Sequence, residues 1–154
     1  MEVRVVIMDS KLELFLSKLN LPKEDYSYFN EGKILKIKST KDKLNWDFII
    51  ETKELLPIKI LEYLDENIKK GFSNLNTVTY EIVPKIVNKS LINNYFNYII
   101  NVLNLGKAVS MIFYGKEIKA TTNGMVITAS NKAEENMINS RLNEIINTYH
   151  KIGF

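Results

Sequence analysis

Between positions 44 and 72 the spacing of apolar residues changes from two to three-and-four, and this change most constrains the fold. Trp46, Phe48 and Ile50 share one face of an extended run, while Asn45, Asp47 and Glu51 share the other, which predicts a strand over residues 44–52. Leu55-Leu56-Pro57 then opens a helix, because proline in the first turn forgoes an N–H that would be unpaired there anyway. Ile58, Leu61, Leu64, Ile68 and Phe72 hold one face of that helix apolar, and Gly71 is placed as its C-terminal stop. A strand feeding an amphipathic helix has to bury one face of each against a shared core, so the expectation is an α+β arrangement.

The flanking segments extend this unit. Leu12, Phe15, Leu16 and Leu19 predict an amphipathic helix over residues 10–20, with Ser10 as N-cap and Pro22 beyond its end. A short helix over Lys23–Phe29 follows, and Gly32 breaks the pattern. Lys33–Ser39 reads as a strand with Leu35 and Ile37 on one face and Lys36 and Lys38 on the other. The loop at residues 40–43 joins it to the next strand as a hairpin. Val78, Tyr80 and Ile82 alternate as a third strand that Pro84 ends. Residues 1–84 therefore read α-α-β-β-α-β, a small three-stranded open sheet covered by helices.

Residues 85–154 form a second subdomain of order α-α-β-β-α, with the boundary in the stretch 84–88. Ile92, Tyr95, Phe96, Ile99, Ile100 and Leu103 cover more than one stripe of a helix over residues 91–103, which marks it as buried or sandwiched. Residues 108–113 read as a short helix. Two strands flank Asn123-Gly124, a dipeptide suited to a hairpin turn in which both central positions have positive φ. Asn131-Lys-Ala-Glu134 resembles a capping box opening the last helix. Ile138, Leu142, Ile145 and Tyr149 supply that helix with its core stripe, and Gly153 ends it. There is no internal repeat and no low-complexity linker.

Composition excludes several classes. The chain has no cysteine, so disulfides and thiolate metal sites are absent. No apolar run reaches the ~20 residues of a membrane span. The first eight residues are too short and too acidic for a secretory signal, and a cytoplasmic location is expected. The net charge of +3 is a weak basic bias, carried almost entirely by lysine, since Arg4 and Arg141 are the only arginines.

Motifs for chemistry are sparse. His150, the one histidine, sits in the last turn of the last helix, where a cation-capable side chain suits the helix dipole. Two-metal polymerase and exonuclease sites need several carboxylates converging on shared cations, written Asp-x-Asp or Asp-x-Glu, and neither pattern occurs. Glu62, Asp65 and Glu66 cluster on the outer face of the Pro57 helix, where Lys59, Lys69 and Lys70 can pair with them, and read as a solvated face. No phosphate loop, dinucleotide fingerprint or nucleophile elbow is present. The six glycines stand singly, without the Gly-x-x-Gly of an RNA-binding KH loop. Lys33, Lys36, Lys38, Lys41 and Lys43 on the first hairpin, with Trp46 nearby, could attract a nucleic-acid backbone and stack a base. The same lysines would also protect an edge strand from aggregation, with Trp46 in the core and Asp42, Asp47 and Glu51 diluting the charge.

Three stretches carry a family resemblance: Tyr28-Phe29-Asn-Glu-Gly32-Lys-Ile34, Phe48-Ile-Ile-Glu-Thr-Lys-Glu-Leu-Leu-Pro57, and the closing Tyr149-His-Lys-Ile-Gly153-Phe154. By their order and spacing, residues 10–154 resemble the extreme N-terminus of the PolC-type DNA polymerase III alpha subunit of low-GC Gram-positive bacteria. The second half is also similar to the C-terminal domain of the clamp-loader tau subunit, a pseudo-KH fold used for protein contacts. The resemblance implies a parent enzyme that makes DNA with Mg2+ and proofreads it with a 3′–5′ exonuclease. It implies no catalytic residue, metal ligand or cofactor in these residues. The expected function is a non-catalytic protein-interaction domain of a replicative polymerase, touching DNA through its parent and no membrane. Its expected partner is a replisome protein, tau among the candidates. The apolar excess of residues 91–103 marks Tyr95, Tyr98 and Phe113 as candidate docking residues, of which some should be partly exposed. The alternative is a KH-like single-stranded nucleic-acid-binding module; a small enzyme is a third class, for which no polar cluster is apparent.

Overall fold

A computed structural model describes residue 1 and residues 9–154; the segment expected not to be a signal, residues 2–8, lies outside the described residues. The chain divides into two compact units, Met1–Val87 with Gly153, and Asn88–Ile152 with Phe154. Its architecture is mixed α and β.

In the first unit α1 (Ser10–Lys18) buries Leu12, Phe15 and Leu16. Its N-cap is Asp9, not Ser10: the Asp9 carboxylate accepts the Leu12 N–H at 3.1 Å. Either side chain can cap, but only the residue left outside the first turn is positioned to do so. A 3-10 turn, Lys23–Phe29, leads into β1 (Lys33–Ser39), which pairs antiparallel with β2 (Asn45–Glu54) as a hairpin. The helix α2 (Ile58–Gly71) follows, and then β3 (Thr77–Ile86). The strand order is β1-β2-β3, and β3 runs parallel to β2, which the α2 crossover permits. Pro84 lies inside β3 and does not end it, because β3 is an edge strand, where proline is tolerated.

Helices α1 and α2 cover one face of this sheet. The Phe15 ring lies 4.8 Å from that of Phe48, and Phe72 lies 5.1 Å from Phe48. Tyr63 of α2 donates its hydroxyl hydrogen to the carbonyl oxygens of Leu19 and Asn20, at 2.8 and 2.7 Å. Gly71 is the last residue of α2 and has no positive φ, so it is not the left-handed stop expected of it. Its role is steric, since a Cβ there would come within 2.8 Å of the Lys18 carbonyl oxygen. Lys59 reaches Asp25 at 3.7 Å rather than a carboxylate of its own helix. Asp65 is not part of a solvated face either: it accepts the Tyr80 hydroxyl at 2.6 Å.

The second unit opens with a 3-10 turn, Lys89–Tyr95, capped by Asn88 and continuing into α3 (Phe96–Leu103). The expected single helix over residues 91–103 is thus a 3-10 turn joined to an α-helix. After α4 (Lys107–Phe113) come β4 (Ile118–Thr121) and β5 (Gly124–Ile127), an antiparallel pair. Thr121 pairs with Gly124, so the central turn residues are Thr122 and Asn123, and neither has positive φ. Gly124 belongs to the strand, and the mirror-image turn expected from Asn-Gly does not form. The last helix, α5 (Lys132–Ile152), starts with half of the expected box: Asn131 accepts the Glu134 N–H at 2.9 Å, while the Glu134 carboxylate turns to the Ser130 N–H at 3.1 Å and to the Lys116 ammonium. Gly153, at φ +116°, terminates it, and the Phe154 N–H closes on the Tyr149 carbonyl oxygen at 3.0 Å.

Candidate functional site

The exposure expected among the three docking aromatics is not found. Tyr95 is 7%, Tyr98 6% and Phe113 0% exposed. Their rings build the core: Phe113 meets Phe96 edge-on at 6.0 Å, and Tyr95 meets Phe154 edge-on at 5.4 Å. Apolar excess in the 91–103 helix serves packing, because a unit with a two-stranded sheet has to draw its core from helices that are apolar on several sides.

The five lysines do stand at the surface, and a β-bulge gathers three of them. Lys33 lies opposite Glu51 and Ile34 opposite Ile50, but Lys36 lies opposite Ile49, so Leu35 is the extra residue. One inserted residue reverses the side-chain parity. Lys33, Lys36 and Lys38 consequently share the face of the sheet away from α1 and α2. That face is not purely basic. Lys33 reaches Glu51 at 3.9 Å, and Lys38 lies across from Asp47, whose carboxylate also accepts the Thr79 hydroxyl at 2.8 Å. Asp42 folds back on the turn, accepting from the Thr40 hydroxyl and the Leu44 N–H, and these bonds hold its carboxyl below the ordinary aspartate range. Trp46 is half-buried, with its indole N–H donated to the Lys43 carbonyl oxygen at 3.0 Å.

Among the described residues no three or more His, Asp or Glu side chains converge as a metal site would require. No helix among the described residues is long and apolar enough to cross a membrane.

A groove in the second unit was not anticipated. It has a volume of about 530 Å3 and runs between the β4–β5 turn and the C-terminal half of α5. Leu142, Ile146 and His150 line it at successive four-residue steps of α5, on a file beside the core stripe of Ile138, Ile145 and Tyr149. Tyr149 contributes to its walls together with Ile92 and Lys89 of the 3-10 turn. Sequence reasoning singled out His150 and Leu142 but missed Ile146; the four-residue spacing from Leu142 through Ile146 to His150 was the available signal.

The chain is similar to segments of bacterial DNA polymerases. Over 94% of its length it is 28% identical to the PolC-type DNA polymerase III of Listeria monocytogenes and 22% identical to that of Bacillus subtilis. Over 79% it is 25% identical to the PolC-type enzyme of Streptococcus thermophilus. It spans about a tenth of the length of these relatives, 10% of the first two and 9% of the third. Residues 11–82 match the family described as DNA polymerase III polC-type N-terminus I. No solved structure matches the chain.

Proposed function

We propose that the chain is a non-catalytic protein-interaction segment of a PolC-type replicative polymerase. The observation that carries this reading is the engagement of its carboxylates in the chain's own fold. Asp65 holds Tyr80, Asp47 holds Thr79, Asp42 closes the first hairpin, and Glu134 joins Lys116 to the start of α5. Side chains committed in this way shape a scaffold and do not converge on a reacting atom. In this proposal the parent enzyme supplies template-directed synthesis, Mg2+ binding and 3′–5′ proofreading from residues outside this chain, in the cytoplasm. The chain contributes contact with a replisome protein, and the clamp-loader tau subunit is a candidate. Residues 1–84 and 85–154 act as separate subdomains in this reading, the second serving as a pseudo-KH contact module.

The test is a reconstituted PolC-dependent replication reaction with clamp and clamp loader, supplemented with an excess of this chain. Competition for the partner should lower the rate of processive synthesis. The chain alone should neither extend nor degrade a labelled primer–template with Mg2+ or Mn2+. Unchanged synthesis at every excess would overturn the interaction role, and extension or degradation by a clean preparation would overturn the non-catalytic reading.

A further inference from the structure

We propose that the groove between the β4–β5 turn and α5 takes a short peptide segment that carries a bulky apolar side chain flanked by carboxylates. This inference rests on the interaction role above and assigns it a surface and a partner chemistry. The volume of about 530 Å3 falls within the roughly 300–1,000 Å3 of concave sites that enclose compact ligands, enough for one or two large side chains. The α5 wall is apolar where Leu142 and Ile146 stand, and Ile146 remains 36% exposed although it lies beside a fully buried Ile145. Such a side chain gains by being covered, and an apolar residue of a partner is the group that covers it without leaving a polar atom unpaired.

Lys89 is the charged side chain of the groove's lining, His150 adds an imidazole, and no Asp or Glu lines it. Neither side chain has a hydrogen-bond or ion-pair partner among the described residues, in contrast to Lys33 and Lys116, which face Glu51 and Glu134. A carboxylate on the incoming segment would complete them. The exposed Thr121, Thr122 and Asn123 add hydroxyl and amide groups along the hairpin side that can bond an extended main chain.

A nucleic-acid occupant fits these walls less well. Binding a single strand needs aromatic faces open to stacking and a row of cations along the backbone. Here the Tyr149 hydroxyl is bonded to the Ile92 carbonyl oxygen, and the Phe154 ring is already packed edge-on against Tyr95 and Tyr149. One lysine and one histidine do not make a row.

The experiment selects from a phage-displayed random dodecapeptide library on the whole chain, with counter-selection on Ile146→Asp. A second counter-selection uses Thr122→Arg, placed on the exposed turn so that the fold is spared. Circular dichroism confirms that both variants are folded. The expected result is a set of peptides retained by the parent chain and lost by both variants, with a leucine or aromatic centre and acidic flanks. Lys89→Glu should weaken the best of them about tenfold, as loss of a charge contact at an interface does. Failure of any peptide to distinguish the parent from the variants, or discriminating peptides with basic flanks, would overturn the proposal. So would binding of a labelled oligothymidylate that depends on Ile146. Competition in the replication reaction that both variants retain in full would overturn the groove while leaving the interaction role standing.

Discussion

The Tyr149 phenol donates a hydrogen bond of 2.9 Å to the carbonyl oxygen of Ile92, tying the end of α5 to the 3-10 turn that opens the second unit. Both residues are buried, and burial pushes the Tyr149 phenol above the ordinary tyrosine range. The folded chain therefore holds this proton more tightly than the unfolded chain does. The contribution to stability is complete below the ordinary tyrosine pKa of about 10 and is lost progressively as pH rises above it. Thermal unfolding should show a steeper loss of Tm above pH ~10 in the parent than in Tyr149→Phe. At pH 7 the phenylalanine variant should be less stable by about 1 kcal/mol, the worth of one buried hydrogen bond. An identical alkaline profile in the two proteins would contradict the assignment.

Gly71→Ala tests the close approach of α1 and α2. The added methyl would meet the Lys18 carbonyl oxygen at 2.8 Å, a backbone atom rather than a flexible side-chain end, with Leu19 Cδ1 at 3.1 Å beside it. The helix propensity of alanine favours the substitution by up to about 1 kcal/mol, but the steric term should prevail. A net destabilisation of about 1–3 kcal/mol is expected in urea unfolding. A stabilised variant would mean that Gly71 is merely an unoptimised helix residue.

Glu134→Gln tests the junction at the start of α5. Glu134 accepts from the Lys116 ammonium and the Ser130 N–H, and these contacts hold its carboxyl below the ordinary glutamate range. A depressed pKa in the folded state gives stability that is present above the ordinary value of about 4.3 and lost as pH falls through the lowered one. The glutamine variant should have a lower Tm at pH 7, and the difference should shrink towards pH 3. A difference independent of pH would assign the effect to packing.

Nucleic-acid binding by the isolated chain should be weak, with a Kd no tighter than roughly 10 μM at ~150 mM salt, in or below the usual non-specific range. The reason is the acidic partners that the sheet places across from Lys33 and Lys38. Fluorescence anisotropy with labelled single-stranded DNA measures it. Sub-micromolar affinity, lost on Trp46→Ala in a folded protein, would favour the KH-like module instead.

Local order was legible in the chain because it is written in local spacing. Alternation marked β2, three-and-four spacing marked α1, α2 and α5, and even the short α4 and the 3-10 turn at Lys23–Phe29 fell where the pattern put them. Periodicity relates residues two to four apart, and those relations survive whatever the rest of the chain does. End effects were less legible: Asp9 caps in place of Ser10, and Thr122-Asn123 turn in place of Asn123-Gly124. At an element's end several neighbouring residues are chemically able, and the surrounding packing selects among them.

Long-range relations were decided by the tertiary structure alone. Nothing in the spacing of β1 indicated that one bulged residue would bring Lys33 onto the face of Lys36 and Lys38, or that Glu51 and Asp47 would stand across from them. Nor did aromatic content show that Tyr95, Tyr98 and Phe113 would be covered while Ile146 stayed open beside a groove. Burial and pairing join residues far apart in sequence, and each depends on the register and packing of every element between them. The sequence by itself determined which segments are helix or strand, the lack of cysteine chemistry and the similarity to PolC-type polymerases. Which side chains face water, and against what partner, followed only once the two units had closed around their own cores.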